Sequence, residues 1–138
     1  MKTYLASLLC CIALFTSPLV AAWRPIGAMA ASPPKGEQIT FRNAHAIVSI
    51  SVLAPDVVRV RMAPKPGFGP DYSWAVIKTD WPVIPVDFSG AGNTRLIRTR
   101  DLEVRIQLSP FRIAFYDSAG RLISKDANPS GMGGMAYD

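Results

Sequence analysis

With 138 residues, 49% of them hydrophobic and 18% charged, the chain is long enough for one globular core and too short for two. The formal charge of +5 does not mark a nucleic-acid binder. Lys2 and Arg24 fall in the N-terminal leader, and the remaining arginines recur along successive strands, alternating with apolar residues, as on a solvated sheet face. Both cysteines, Cys10 and Cys11, lie in the first apolar run, which excludes a disulfide, a zinc–thiolate centre or a cysteine nucleophile from the remainder.

In chain order, Lys2 precedes an apolar run over residues 5–15 that only Ser7 interrupts, and Ser17-Pro18 ends it before a stretch of small residues. This is the order of a secretory signal peptide, and the run is well short of the roughly 20 residues of a membrane-spanning helix. Cleavage is expected after Ala22 (Val20-Ala21-Ala22) or Ala30 (Ala28-Met29-Ala30), the second being the better A-x-A match. The leader is expected within residues 1–30, and the mature protein is secreted or periplasmic, with no membrane contact after cleavage; the alternative is a retained N-terminal anchor. Residues 31–37 (ASPPKGE) have no apolar periodicity and read as a linker. The domain is expected over residues 38–138.

From residue 38 the hydrophobic pattern has period two. Ala46, Val48, Ile50 and Val52 share one face, with His45, Ser49 and Ser51 on the other. Pro55-Asp56 turns the chain, and Val58, Val60 and Met62 point inward while Arg59 and Arg61 point outward. The two runs predict a hairpin. Three prolines and two glycines over residues 64–72 predict a loop. Short strands are expected at 74–78, 86–88, 94–99, 102–108, 111–117 and 121–124. In these, Leu102, Val104, Ile106, Leu108, Phe111, Ile113 and Phe115 face the core, and Glu103, Arg105, Gln107 and Arg112 face away. Asp117-Ser118-Ala119-Gly120 is a turn with glycine available for a left-handed position. No stretch of helical periodicity follows the leader, so the fold class is all-β, an antiparallel sandwich.

An ordered series of segments carries a family resemblance: VLAPDVVRVRMAP at 52–64, SWAV at 73–76, LEVRIQLSPFRIAFYDSAGRLISKD at 102–126 and MGGMAYD at 132–138. Together they resemble the N-terminal domain of family 31 glycoside hydrolases, the α-glucosidase and α-xylosidase group. The resemblance implies a galactose mutarotase-like supersandwich, incomplete at its C-terminal end. It also implies a (β/α)8 barrel as partner, on which two aspartates perform retaining hydrolysis of α-glycosides. Neither aspartate has a counterpart here, so no catalytic residue is carried over. The expectation is a non-catalytic domain of a secreted α-glycosidase, truncated before its barrel and inactive alone. The alternative is a stand-alone carbohydrate-binding module.

For carbohydrate contact the candidates are Asp71, Tyr72, Trp74, Asp80 and Trp81, where aromatic faces could pack on sugar C–H groups while carboxylates accept from hydroxyls. Large aromatics also dominate cores and domain interfaces, so docking against the barrel is the competing role of this segment. His45 is the only histidine, and one histidine beside an alternating strand does not make the convergent acid/base set of a mutarotase. Glu103 beside Arg105 predicts a solvent-facing charge in a cross-strand pair, and with Asp101 it makes no convincing carboxylate engine. The glycine-rich residues 130–135 lack the ending of a phosphate loop and read as a flexible connection. No metal-ligand spacing is present, and no cofactor is expected.

Overall fold

In the computed structural model, residues 24–64, 66–71, 76–126 and 136–137 are described. Eleven strands run in order among them: β1 (Arg24–Pro25), β2 (Ala30–Ala31), β3 (Gln38–Arg42), β4 (Ala46–Ala54), β5 (Val57–Pro64), β6 (Asp87–Ser89), β7 (Thr94–Arg98), β8 (Leu102–Leu108), β9 (Phe111–Asp117), β10 (Leu122–Lys125) and β11 (Ala136–Tyr137). There is no helix among the described residues. Two antiparallel sheets form, one of five strands in the order β10-β9-β8-β7-β6 and one of four in the order β2-β3-β4-β5, with a separate β1–β11 pair. The architecture is the all-β sandwich that the period-two pattern indicates.

The alternation of each strand is what closes the core. Ala46, Val48, Ile50 and Val52 of β4 are buried, as are Val104 and Ile106 of β8 and Phe111 and Ile113 of β9. Val58, Val60 and Met62 of β5 pack against the same cluster from a half-buried position. Phe41 on β3 and Phe111 on β9 meet across the two sheets with ring centroids 5.2 Å apart at 59°, a tilted geometry that suits aromatic quadrupoles. A second tie links the sheets at one end. Thr99, just after β7, donates its hydroxyl to Pro55 O at 2.5 Å and accepts from Leu102 N at 2.9 Å.

Turn chemistry sets the registers. Asp117 Oδ1 accepts from Ala119 N and Arg121 N, at 3.0 and 2.8 Å. Gly120 takes φ of 77° there, so the expected left-handed glycine is present. Gly90, between β6 and β7, is more constrained. Its φ is 109°, and a Cβ would lie 2.6 Å from Thr94 O. The β8–β9 turn contains a cis Ser109-Pro110 peptide.

Two differences from the sequence reading concern elements. The strand expected at 74–78 does not form over residues 76–78, and the remainder of it lies outside the described residues. Val76 and Ile77 are apolar but 52% and 92% exposed, so they lack the buried face that strand propensity presupposes. Residues 24–30, read as leader, and Ala31 of the linker contribute β1 and β2, and Ala30 and Ala31 pair with Arg42 and Phe41 of β3. The linker residues 31–37 run back along the same strand, with Ser32 N bonded to Thr40 O and Lys35 bridging Gln38. The glycine-rich residues 130–135 lie outside the described residues.

Candidate functional site

Among the described residues, two grooves of similar volume stand out on the surface of the sandwich. The first opens where the β4–β5 hairpin meets the segment after the proline-rich loop. Leu53, Val57, Val58, Val76 and Trp81 form its apolar walls, with Arg59, Asp71 and Lys78 at its margin, around about 530 Å³. The outward arginines of β5 hold the loop in place. Arg59 forks onto both oxygens of Asp71 at 2.5 and 3.3 Å, and Arg61 adds a contact at 3.2 Å. The Arg61 guanidinium also lies over the Phe68 ring, 4.7 Å from its centroid. The hydrogen bond from Arg59, helped by the charges of both arginines, holds the Asp71 carboxyl below its ordinary value. Asp71 is thus an ionised clamp with its acceptor capacity engaged.

Of the five candidate contact residues, Asp71 and Trp81 share this groove. Asp80 does not belong to it. Its side chain is 91% exposed and pairs with Lys78 at 3.1 Å, an interaction that lowers its pKa. Tyr72 and Trp74 lie outside the described residues. Trp81 is half-buried, with the Lys78 ammonium 5.3 Å from its ring centroid. It also lines a smaller hollow of about 200 Å³ shared with Lys35, Glu37, Ser51 and Val83. The indole therefore contributes to both depressions.

The second groove lies on the outer face of the five-stranded sheet, about 560 Å³ in volume, with Asn93, Arg105, Gln107, Arg112, Tyr116 and Lys125 among its lining residues. Period-two alternation places Arg105, Gln107, Arg112 and Tyr116 on this face, yet the sequence gives no sign that the solvated face is concave. Glu103 lies beside it. It accepts from Arg98, its cross-strand neighbour, and from Arg105 on its own strand, each at 2.5 Å. The two guanidinium hydrogen bonds, Arg105 first, depress its pKa. Arg105 also covers the Tyr116 ring at 3.9 Å. Glu103 is therefore the charge-paired strand residue that the alternation indicates.

His45 is exposed at the β3–β4 turn, and its backbone N–H donates to Asn43 Oδ1 at 2.8 Å. Asp101 pairs with neighbouring Arg100 at 3.1 Å. No group of three or more His, Cys, Asp or Glu side chains with metal-binding proximity occurs among the described residues.

Residues 47–133 match the glycosyl hydrolase 31 N-terminal galactose mutarotase-like domain. The chain belongs to this family. Among solved structures it is similar to the GH31 dextranase of Flavobacterium johnsoniae, with a TM-score of 0.67 and 23% identity over 78% of this chain. It is also similar to the cycloalternan-forming enzyme of Listeria monocytogenes, with a TM-score of 0.61 and 16% identity over 80% of this chain. At these identities the likeness concerns the fold. The chain spans 14% of the dextranase chain and 10% of the cycloalternan-forming chain. No curated protein matches it.

Proposed function

We propose that the chain is the non-catalytic N-terminal β-sandwich of an exported α-glycosidase, packed against a (β/α)8 barrel that performs the hydrolysis. The observation that carries this reading is the family match over residues 47–133. The dextranase was solved with isomaltotriose, and the cycloalternan-forming enzyme with a pentasaccharide substrate, so α-linked glucose oligomers are the class of sugar to test. The first groove suits docking on the barrel, since the exposed side chains of Val57 and Val76 line it beside Trp81. Asp71 is already neutralised by Arg59 and Arg61.

The second reading, a stand-alone carbohydrate-binding module, draws on Trp81 as an aromatic side chain lining two hollows. Calorimetric titration of the purified chain with isomaltotriose and maltotriose separates the two. Saturable binding that Trp81→Ala abolishes favours the module. No binding, together with no release of glucose, is the outcome expected for the docking domain. Hydrolysis by the chain alone would overturn both.

A further inference from the structure

Two bonds compete as the end of the leader, and small residues at the first and third positions before the cut favour the one after Ala30 over the one after Ala22. The fold reverses that preference. Ile26 and Met29 lie inside the core cluster at 3% and 5% exposure. Their backbone is bonded into the five-stranded sheet, with Met29 N donating to Leu108 O and Phe111 N donating to Gly27 O, each at 2.9 Å. The segment is thus laced to both ends of the β8–β9 turn. On the other side Asn43 Nδ2 donates to Ile26 O at 2.5 Å and to Ala28 O at 3.1 Å, while Asn43 Oδ1 accepts from His45 N and Ala46 N. One asparagine therefore holds both the β3–β4 turn and the incoming segment. Ala30 and Ala31 complete the connection as the edge strand of the four-stranded sheet.

Residues 26–31 thus bridge the two sheets as part of the sandwich. Removing residues 1–30 would uncover the apolar surface that Ile26 and Met29 cover. It would also leave Leu108 O, Phe111 N and the Asn43 amide without these partners, a loss of packing and of part-buried hydrogen bonds together. Leader removal acts on an unfolded chain, so folding does not shield the bond after Ala30. A cut there yields a domain without its Ile26–Ala30 segment, so the chain that folds stably is the one cut before it.

We infer that the chain is processed at the Ala22–Trp23 bond, and that the segment from Ile26 onward is a structural part of the mature domain. This rests on the export reading above. The reaction is hydrolysis by a leader endopeptidase with pockets for small residues, filled by Ala22 and Val20. Water adds its hydroxyl to the Ala22 carbonyl carbon, the peptide C–N bond breaks, and the proton passes to the Trp23 amine. The 22-residue leader falls within the 15–30 residues of such segments, whereas a cut after Ala30 lies at their upper limit.

The test is to express the whole chain with its own leader in a bacterium with a periplasm, then take its intact mass and N-terminal sequence. Trp23 as first residue is the expected result. A folded product beginning at Ala31 overturns the inference and leaves the export reading standing. An uncleaved chain in the cytosol overturns both. Two leaderless chains give an independent readout, one starting at Trp23 and one at Ala31. The longer is expected to melt cooperatively, and the shorter to lose its transition or melt lower by on the order of 10 °C or more. Equal midpoints overturn the structural role of residues 26–31.

Discussion

Replacing Phe111 with alanine is expected to destabilise the domain by about 3–5 kcal/mol, because a wholly buried ring leaves a cavity as well as lost transfer energy. Phe111 is 0% exposed and sits against Phe41, also 0% exposed, on the opposing sheet. A domain of this size has roughly 5–15 kcal/mol in total, so the loss removes from about a fifth of the stability to nearly all of it. Its thermal midpoint, followed by far-ultraviolet circular dichroism, should fall by at least about 12 °C. Leucine is the gentler probe of the pair. Phe41→Leu and Phe111→Leu should each cost about 1–2 kcal/mol, and the double variant less than their sum, since each single change already breaks the ring–ring contact. Additive losses, or a cost below about 1 kcal/mol for Phe111→Ala, would refute the assignment of this pair as the link between sheets.

Thr99→Val keeps the shape but removes the hydroxyl that joins Pro55 O to the β7–β8 turn; urea unfolding should show a loss of about 1–2 kcal/mol. Gly90→Ala must place a Cβ 2.6 Å from Thr94 O at a φ of 109°, and should cost about 1–3 kcal/mol in the same assay. Glu103 has a folded pKa below its ordinary 4.5, owing to hydrogen bonds from Arg105 and Arg98. Because the folded value is the lower one, its contribution is present above pH 4.5 and lost as the pH falls through the ordinary value towards the folded one. Glu103→Gln should therefore melt below the parent at neutral pH, with the difference shrinking in acid. A gap independent of pH would contradict the pairing.

The strands, their inward faces and the hairpin turns were legible in the sequence because they depend on local alternation. Val48, Ile50, Val104, Ile106, Phe111 and Ile113 could be placed inward from period two alone, and the 117–120 turn from its residue types. The charge pairing of Glu103 was legible for the same reason, since antiparallel register sets its neighbours. The candidate site was less so. Asp71 and Asp80 look equivalent in sequence, yet Asp71 is clamped by two β5 arginines and Asp80 is turned to solvent beside Lys78.

What the sequence by itself determined was therefore the fold class, the core faces and the family, all of which follow from periodic burial and ordered segments. Only the tertiary structure decided that Trp81 lines two hollows, that the arginine-lined face of the large sheet is grooved, and that Ile26 and Met29 belong to the core. Such features depend on where separate segments meet in space. Residues 26–31 make the point most directly: on their own they are a short run of small and apolar residues resembling the end of a leader. Only the carbonyls and amides of the distant β8–β9 turn and the side chain of Asn43 show that they are built into the sandwich.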